Sequence, residues 1–230
     1  FHCNLQKESL RRECEESLRR LGVESIDLYQ IHWPIDEEHI EEAWQTMVDL
    51  KAEGKVRHLG VSNFTTDQLE MISMVEKPVS VQPPYNMLDQ RMARNGVLDY
   101  CADRNIGTIC YGPIRMGLLT GKFSPDYLKS LPPDDLRRRV RDFQEPLYSL
   151  TLDLVDQLRP IADANDMDLI HLALAWVLKH RGATAAILGV RRPDQIENAV
   201  TMGDWELSDG DYAEVNRLVK AFEVRRSELE

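Results

Sequence analysis

Two apolar patterns alternate along this chain: short runs with apolar residues on both strand parities, and longer stretches in which apolar residues recur at helical spacing. The clearest run is Ile26–Pro34, IDLYQIHWP, with Ile26 and Leu28 on one strand parity and Tyr29 and Ile31 on the other. A strand with one solvated face keeps its apolar residues on a single parity, so this run predicts a buried parallel strand. Its C-terminal end carries His32 and Trp33 to the side where ligands bind in α/β folds. Further runs predict strands at 55–63, 79–82, 108–111 and 185–188.

Helical periodicity fills the intervals. Residues 8–21 place Leu10, Cys14, Ser17 and Leu21 on one face, and Gly22 is the stop. Asp36 is the predicted start of a second helix, with Ile40, Ala43, Met47 and Leu50 inward and Gly54 beyond its end. Thr65 and Gln68 have capping-box spacing for a third, running to about Val75. Helices are also predicted at 90–104, at 147–165 (with Pro160 a potential kink) and at 168–180. Pro193 opens another, and Ser208 caps the last, which turns Tyr212, Val215 and Leu218 inward. Residues 113–146 show no clear period and read as a lid-like loop insertion within a single domain.

Strands that alternate with helices in this way predict an α/β fold with a parallel sheet. Five strands with helices outside fit either part of a (β/α)8 barrel or an open sheet. No GxGxxG follows a strand, so the dinucleotide signature of the open fold is absent.

Composition narrows the chemistry. A formal charge of −11 excludes general nucleic-acid binding, because a phosphate backbone needs a basic face. No apolar run approaches the ~20 residues of a membrane span. Cys3, Cys14, Cys101 and Cys110 lack metal-ligand or CxxC spacing and read as reduced residues of a cytoplasmic protein, with no metal site among them.

SLRRLGVESIDLYQIHWP, GKVRHLGVSNF, QPPYN, YGPIRMGLLTGKF and ILGVRRPDQIEN follow one another from Ser17 to about Trp205. In that order they resemble the aldo-keto reductases. The resemblance implies a (β/α)8 TIM barrel, of which this chain would carry about five of the eight parallel strands. It also implies an NADP(H) cofactor bound in extended form, and the reduction of aldehydes and ketones to alcohols by hydride transfer.

Carried over by position, His32 is the active-site histidine that orients the carbonyl, as a donor aimed at the oxygen that gains charge. Trp33 is either a wall of the substrate pocket or a packing residue. Ser62, Asn63 and Gln82 match residues that hydrogen-bond the nicotinamide carboxamide, and Tyr111 matches an aromatic that stacks on its ring. Gly112, Pro113, Gly117, Leu118 and Lys122 resemble the pyrophosphate-facing loop. Gly189, Arg191, Arg192, Gln195 and Asn198 resemble the adenosine end, where paired arginines before a helix favour the 2′-phosphate of NADP over NAD.

Two departures stand out. The family commonly has Glu-Asn three and four residues after the glutamine, where this chain has Asn198 and Ala199; Ile114-Arg115 replaces a more usual Leu-Ala. The family's Asp, proton-donating Tyr and Lys come from strands expected ahead of residue 1. The chain by itself is therefore expected to be catalytically incomplete, and its unpaired sheet edges leave room for a homo-oligomer. The alternative is a non-catalytic NADP-binding regulatory subunit on the same barrel.

Overall fold

The computed structural model describes residues 4–35 and 37–229. Cys3 and the predicted helix start at Asp36 lie outside these residues. The chain divides into two compact units, one made of residues 1–84, 91–111 and 181–185, the other of 85–90, 112–180 and 186–230.

The first unit begins with α1 (Lys7–Leu21) and β1 (Ile26–Ile31). The buried stripe of α1 is Leu10, Cys14 and Leu18 with Ser9, not the predicted one through Ser17 and Leu21; Leu21 is 63% exposed. The helix closes where Gly22, at φ 68, donates its N–H to the Leu18 carbonyl, and its last turn projects past the packed part. In β1 only Ile26 and Ile31 are fully buried. This strand pairs with one neighbour among the described residues, so Leu28 and Tyr29 are covered less than predicted.

A 3-10 turn at Glu37–His39 leads into α2 (Ile40–Ala52), which buries Ile40, Ala43, Met47 and Leu50 as its spacing requires. Then come β2 (Val56–Ser62) and α3 (Thr66–Ser73), the latter with the predicted Thr65–Gln68 capping box formed. After β3 (Ser80–Gln82), the helix predicted at 90–104 is broken into α4 (Arg91–Arg94) and α5 (Val97–Asp103). Gly96 between them sits at φ 78, a left-handed conformation that cannot continue a right-handed helix. β4 spans Gly107–Tyr111 and β5 spans Ala185–Ile187.

The strands lie in the order β1-β2-β3-β4-β5, the order of the chain itself. The pairings of β1 with β2, β2 with β3 and β3 with β4 are all parallel. A doubly wound sheet reverses its strand order at a switch point, whereas a (β/α)8 barrel does not. The unreversed order therefore favours the barrel arrangement. Strand and helix residues of this unit share one buried core, which includes Trp44, Met47, Leu59, Phe64, Leu69 and Ile72. Cys14, Cys101 and Cys110 are buried and free; burial pushes the Cys101 thiol up to about 12 and Cys110 to about 11, so neither is a ready nucleophile.

In the second unit the 113–146 segment is not structureless. Ser124 accepts from the Tyr127 N–H at 3.1 Å and caps α6 (Pro125–Ser130), with Pro125 in its first turn. Two 3-10 turns follow, at Leu136–Arg139 and Arg141–Phe143. The helix α7 (Leu147–Asp163) runs through Pro160 and packs with α8 (Leu169–Leu178). Then come α9 (Pro193–Val200) and α10 (Asp209–Ser227), the latter capped by Ser208, with Val215 and Leu218 buried as predicted. Tyr85 is stacked on Trp176 at 5.0 Å in this unit's interior.

Candidate active site

The C-terminal ends of β1, β2, β3 and β4 meet in a polar cluster within the first unit. Asn63, just after β2, sits at φ 64, a left-handed conformation that asparagine adopts more readily than bulkier residues. Its amide donates to the His32 carbonyl at 3.0 Å and to Ser62 Oγ at 2.9 Å. Its Oδ1 accepts from the Tyr111 hydroxyl at 2.8 Å. Ser62 in turn donates to the Gln82 backbone carbonyl at 2.7 Å. The parallel register sets Ser62 directly opposite Gln82. His32 and Trp33 stand at the rim with their rings 5.9 Å apart, and Trp33 is 40% exposed. Four strand ends thus bring together six residues that the family resemblance marks: His32, Trp33, Ser62, Asn63, Gln82 and Tyr111.

The donor inventory of this cluster can be read directly. Both N–H bonds of the Asn63 amide and the Ser62 hydroxyl proton are committed inside the protein. Gln82 commits one N–H, to Gln30 Oε1 at 3.0 Å, and its own Oε1 has no partner among the described residues. Gln82 therefore presents one acceptor and one donor together, the pattern that a planar carboxamide ligand requires. Gln30 was not singled out in the sequence. Its only signal there is a polar residue inside the apolar run of β1.

The second unit holds the glycine-rich loop. Gly112, at φ 67, has its carbonyl held at 3.0 Å by Asn86 Nδ2, while Asn86 Oδ1 accepts from the N–H groups of Leu88 and Asp89. Asn86 is fully buried, so QPPYN contributes a residue that positions the loop, a role the sequence reading did not give it. Pro113 is buried and Lys122 is exposed. Gly117 lies at φ 96, where a Cβ would meet the Phe123 ring at 3.1 Å. Leu118 is completely buried, so its side chain is a core residue and only its backbone is left for a ligand. Arg115 and Met116 adopt left-handed φ values of 45 and 54. Arg115 makes an ion pair with the buried Asp142 carboxylate, which ties the loop to the segment that follows it.

At the start of α9, Gln195 Oε1 accepts from the backbone N–H groups of Arg191 at 2.7 Å and Arg192 at 3.2 Å, shaping the turn after Gly189. The Arg192 guanidinium makes two 2.9 Å bonds to Asp194, which hold the Asp194 carboxyl below its ordinary range. Asn198 is placed differently from the expectation. Its side-chain NH2 donates to Asp168 at 2.8 Å and its backbone carbonyl lies 2.7 Å from His171 Nε2, so these groups fasten α9 to the start of α8. Among the described residues no cluster of three or more His, Cys, Asp or Glu side chains is placed to hold a metal, and no helix is long and apolar enough to cross a membrane.

A model of the aldo/keto reductase family matches residues 2–220. The chain belongs to the aldo/keto reductase family. It is 38% identical over 209 residues to aldo-keto reductase YhdN of Bacillus subtilis, covering 90% of this chain and 62% of that relative. It is 32% identical over 223 residues to the NADH-specific methylglyoxal reductase of Escherichia coli, covering 96% of this chain and 67% of the relative. Aldo-keto reductase yakc [NADP(+)] of Schizosaccharomyces pombe is 30% identical over 224 residues, with 96% and 65% covered. The glycerol dehydrogenase AKR11B4 of Gluconobacter oxydans superposes with a TM-score of 0.88 at 33% identity, covering 95% of this chain and 66% of that one. The chain thus spans about two thirds of the length of these family members. Its five strands, in their unreversed order, have the fold of an aldo-keto reductase TIM barrel.

Proposed function

We propose that this aldo-keto reductase chain belongs to an NADP(H)-dependent oxidoreductase that reduces aldehydes or ketones to alcohols. The observation that supports the reading is the convergence of Ser62, Asn63, Gln82 and Tyr111 beside His32 at the ends of four parallel strands. Strand C-termini are where barrel enzymes carry their chemistry.

In this reading Gln82 meets the nicotinamide carboxamide with its paired donor and acceptor, and the Tyr111 ring lies against the nicotinamide. His32 donates to the substrate oxygen as negative charge develops there, and Trp33 walls the substrate. The backbone of the 112–118 loop and Lys122 face the pyrophosphate, while Arg191 and Arg192 take the 2′-phosphate. The cofactor, when bound, supplies the hydride. Residues 1–230 on their own bind cofactor and turn over little aldehyde, because the family's proton-donating tyrosine is not one of the residues matched in them.

The test is a titration followed by tryptophan fluorescence, with NADPH and NADH compared and aldehyde-dependent NADPH oxidation assayed alongside. Saturable binding that prefers NADPH supports the reading. Equal binding of NADH removes the phosphate role of the arginines, and a folded protein that binds neither cofactor overturns the reading as a whole.

A further inference from the structure

Two residues before Ser62 and Gln82 along their strands, Gly60 of β2 and Ser80 of β3 stand opposite one another. Gln30 of β1 stands opposite Gly60 in turn. Gln30 Nε2 donates to Ser80 Oγ at 3.1 Å, and Gln30 Oε1 accepts from Gln82 Nε2 at 3.0 Å. The two glutamines are 52 residues apart in sequence and lie on non-adjacent strands. They reach each other only because the strand between them carries no side chain at position 60. A Cβ there would lie 3.0 Å from Gln30 Nε2 and 2.9 Å from the Ser80 carbonyl, and would press on Ser80 Oγ.

A terminal amide rotates readily and has two faces of opposite hydrogen-bonding character. Gln82 alone could turn either its carbonyl or its NH2 toward a ligand. With one N–H held by Gln30, the Oε1 end is turned outward, and it has no partner among the described residues. We infer that Gln30 is a positioning residue: it sets the rotation of the Gln82 amide so that an acceptor oxygen faces the NH2 of a nicotinamide carboxamide, with Ser80 and the bare Gly60 backbone holding Gln30 in place. This inference rests on the proposed reading of Gln82 as a carboxamide-binding residue.

The experiment compares two reduced cofactors on the full-length protein: NADPH and its 3-acetylpyridine analogue, which keeps the carbonyl but replaces the NH2 with a methyl group. The ratio of their dissociation constants isolates the contact with the NH2. Wild type is expected to favour NADPH. Gln30→Met, which removes the acceptor that holds Gln82, is expected to shrink that preference by about 2- to 10-fold, the worth of one hydrogen bond. Gln30→Glu still accepts from Gln82 and is expected to keep the preference, a rescue that lost packing would not give. Binding of 2′,5′-ADP, which has no nicotinamide, is expected to be the same in all variants and reports that they are folded.

Gln82→Met separates the two layers of the argument. If it lowers the ratio while Gln30→Met does not, the positioning role is overturned and the carboxamide reading of Gln82 stands. If neither changes the ratio, the reading of Gln82 fails and the inference fails with it.

Discussion

The Tyr111 hydroxyl donates to Asn63 Oδ1 at 2.8 Å, joining the end of β4 to the turn after β2 across 48 residues. That bond holds the Asn63 amide in the orientation in which its N–H groups reach His32 and Ser62.

Tyr111 therefore has two separable parts, a ring and a hydroxyl. Tyr111→Phe keeps the flat ring and removes a hydrogen bond worth about 0.5–1.5 kcal/mol, so NADPH affinity is expected to fall by about 2- to 10-fold. Tyr111→Ala removes the stacking face as well and is expected to cost more. Fluorescence titration of both variants checks this. A Phe variant as weak as the Ala variant would show that the ring contributes nothing.

Cofactor choice is expected to turn on a competition at the start of α9. Asp194 occupies the Arg192 guanidinium and sets a negative charge beside the proposed phosphate site. Arg192→Ala is expected to weaken NADPH by roughly tenfold, the worth of one charge-assisted contact, and to leave NADH unchanged. Asp194→Asn is expected to tighten NADPH, again with NADH unchanged. Paired titrations with the two cofactors decide the matter, since effects equal for both would mean that neither residue meets the 2′-phosphate.

The Arg115–Asp142 ion pair makes a stability prediction. Asp142 is 4% exposed, so removing its partner strands a buried carboxylate. Arg115→Ala is expected to cost about 3 kcal/mol, and Arg115→Met combined with Asp142→Leu to recover part of that loss, because the double variant removes the stranded Asp142 charge but still takes Arg115 from Asp89, 4.0 Å away. Thermal melts of the single and double variants give the comparison. Equal losses in both would assign the effect to packing or to the left-handed backbone at Arg115.

Asp135 supplies the acid dependence. Hydrogen bonds from the Arg137 side chain and backbone, at 2.8, 2.6 and 3.0 Å, hold its carboxyl well below the ordinary carboxylate range. A depressed folded-state value means that the contact stabilises the fold above the unfolded carboxyl value of about 3.9, and that this is lost as pH falls below it. The stability difference between wild type and Asp135→Asn is expected to be constant from neutral pH down to about pH 5 and to shrink under stronger acid. Urea melts across that range check it. A difference that grows on acidification would contradict the assignment.

Much of this architecture is legible one segment at a time. The apolar residues of IDLYQI, the caps at Thr65 and Ser208, and Pro193 at a helix start each act within a few residues of themselves, and each sits where local chemistry puts it. The order of the family motifs likewise marked the residues that converge beside His32. The departures are local too: Gly96 breaks the helix predicted at 90–104, and the Ser124-Pro125 helix start carries no periodic apolar face to signal it.

Sequence alone determined the βα alternation, the spacing of the strands and the identity of the polar residues at their ends, because periodicity and capping are short-range effects. Only the tertiary structure decided what those polar residues do for one another. It engages Asn198 with Asp168 and His171, buries Leu118, sets Asn86 against Gly112, and joins Gln30 to Gln82 past a glycine. These pairings depend on parallel register and on which side of the sheet a side chain faces. Both are fixed by contacts between residues tens of positions apart, and no local pattern records them.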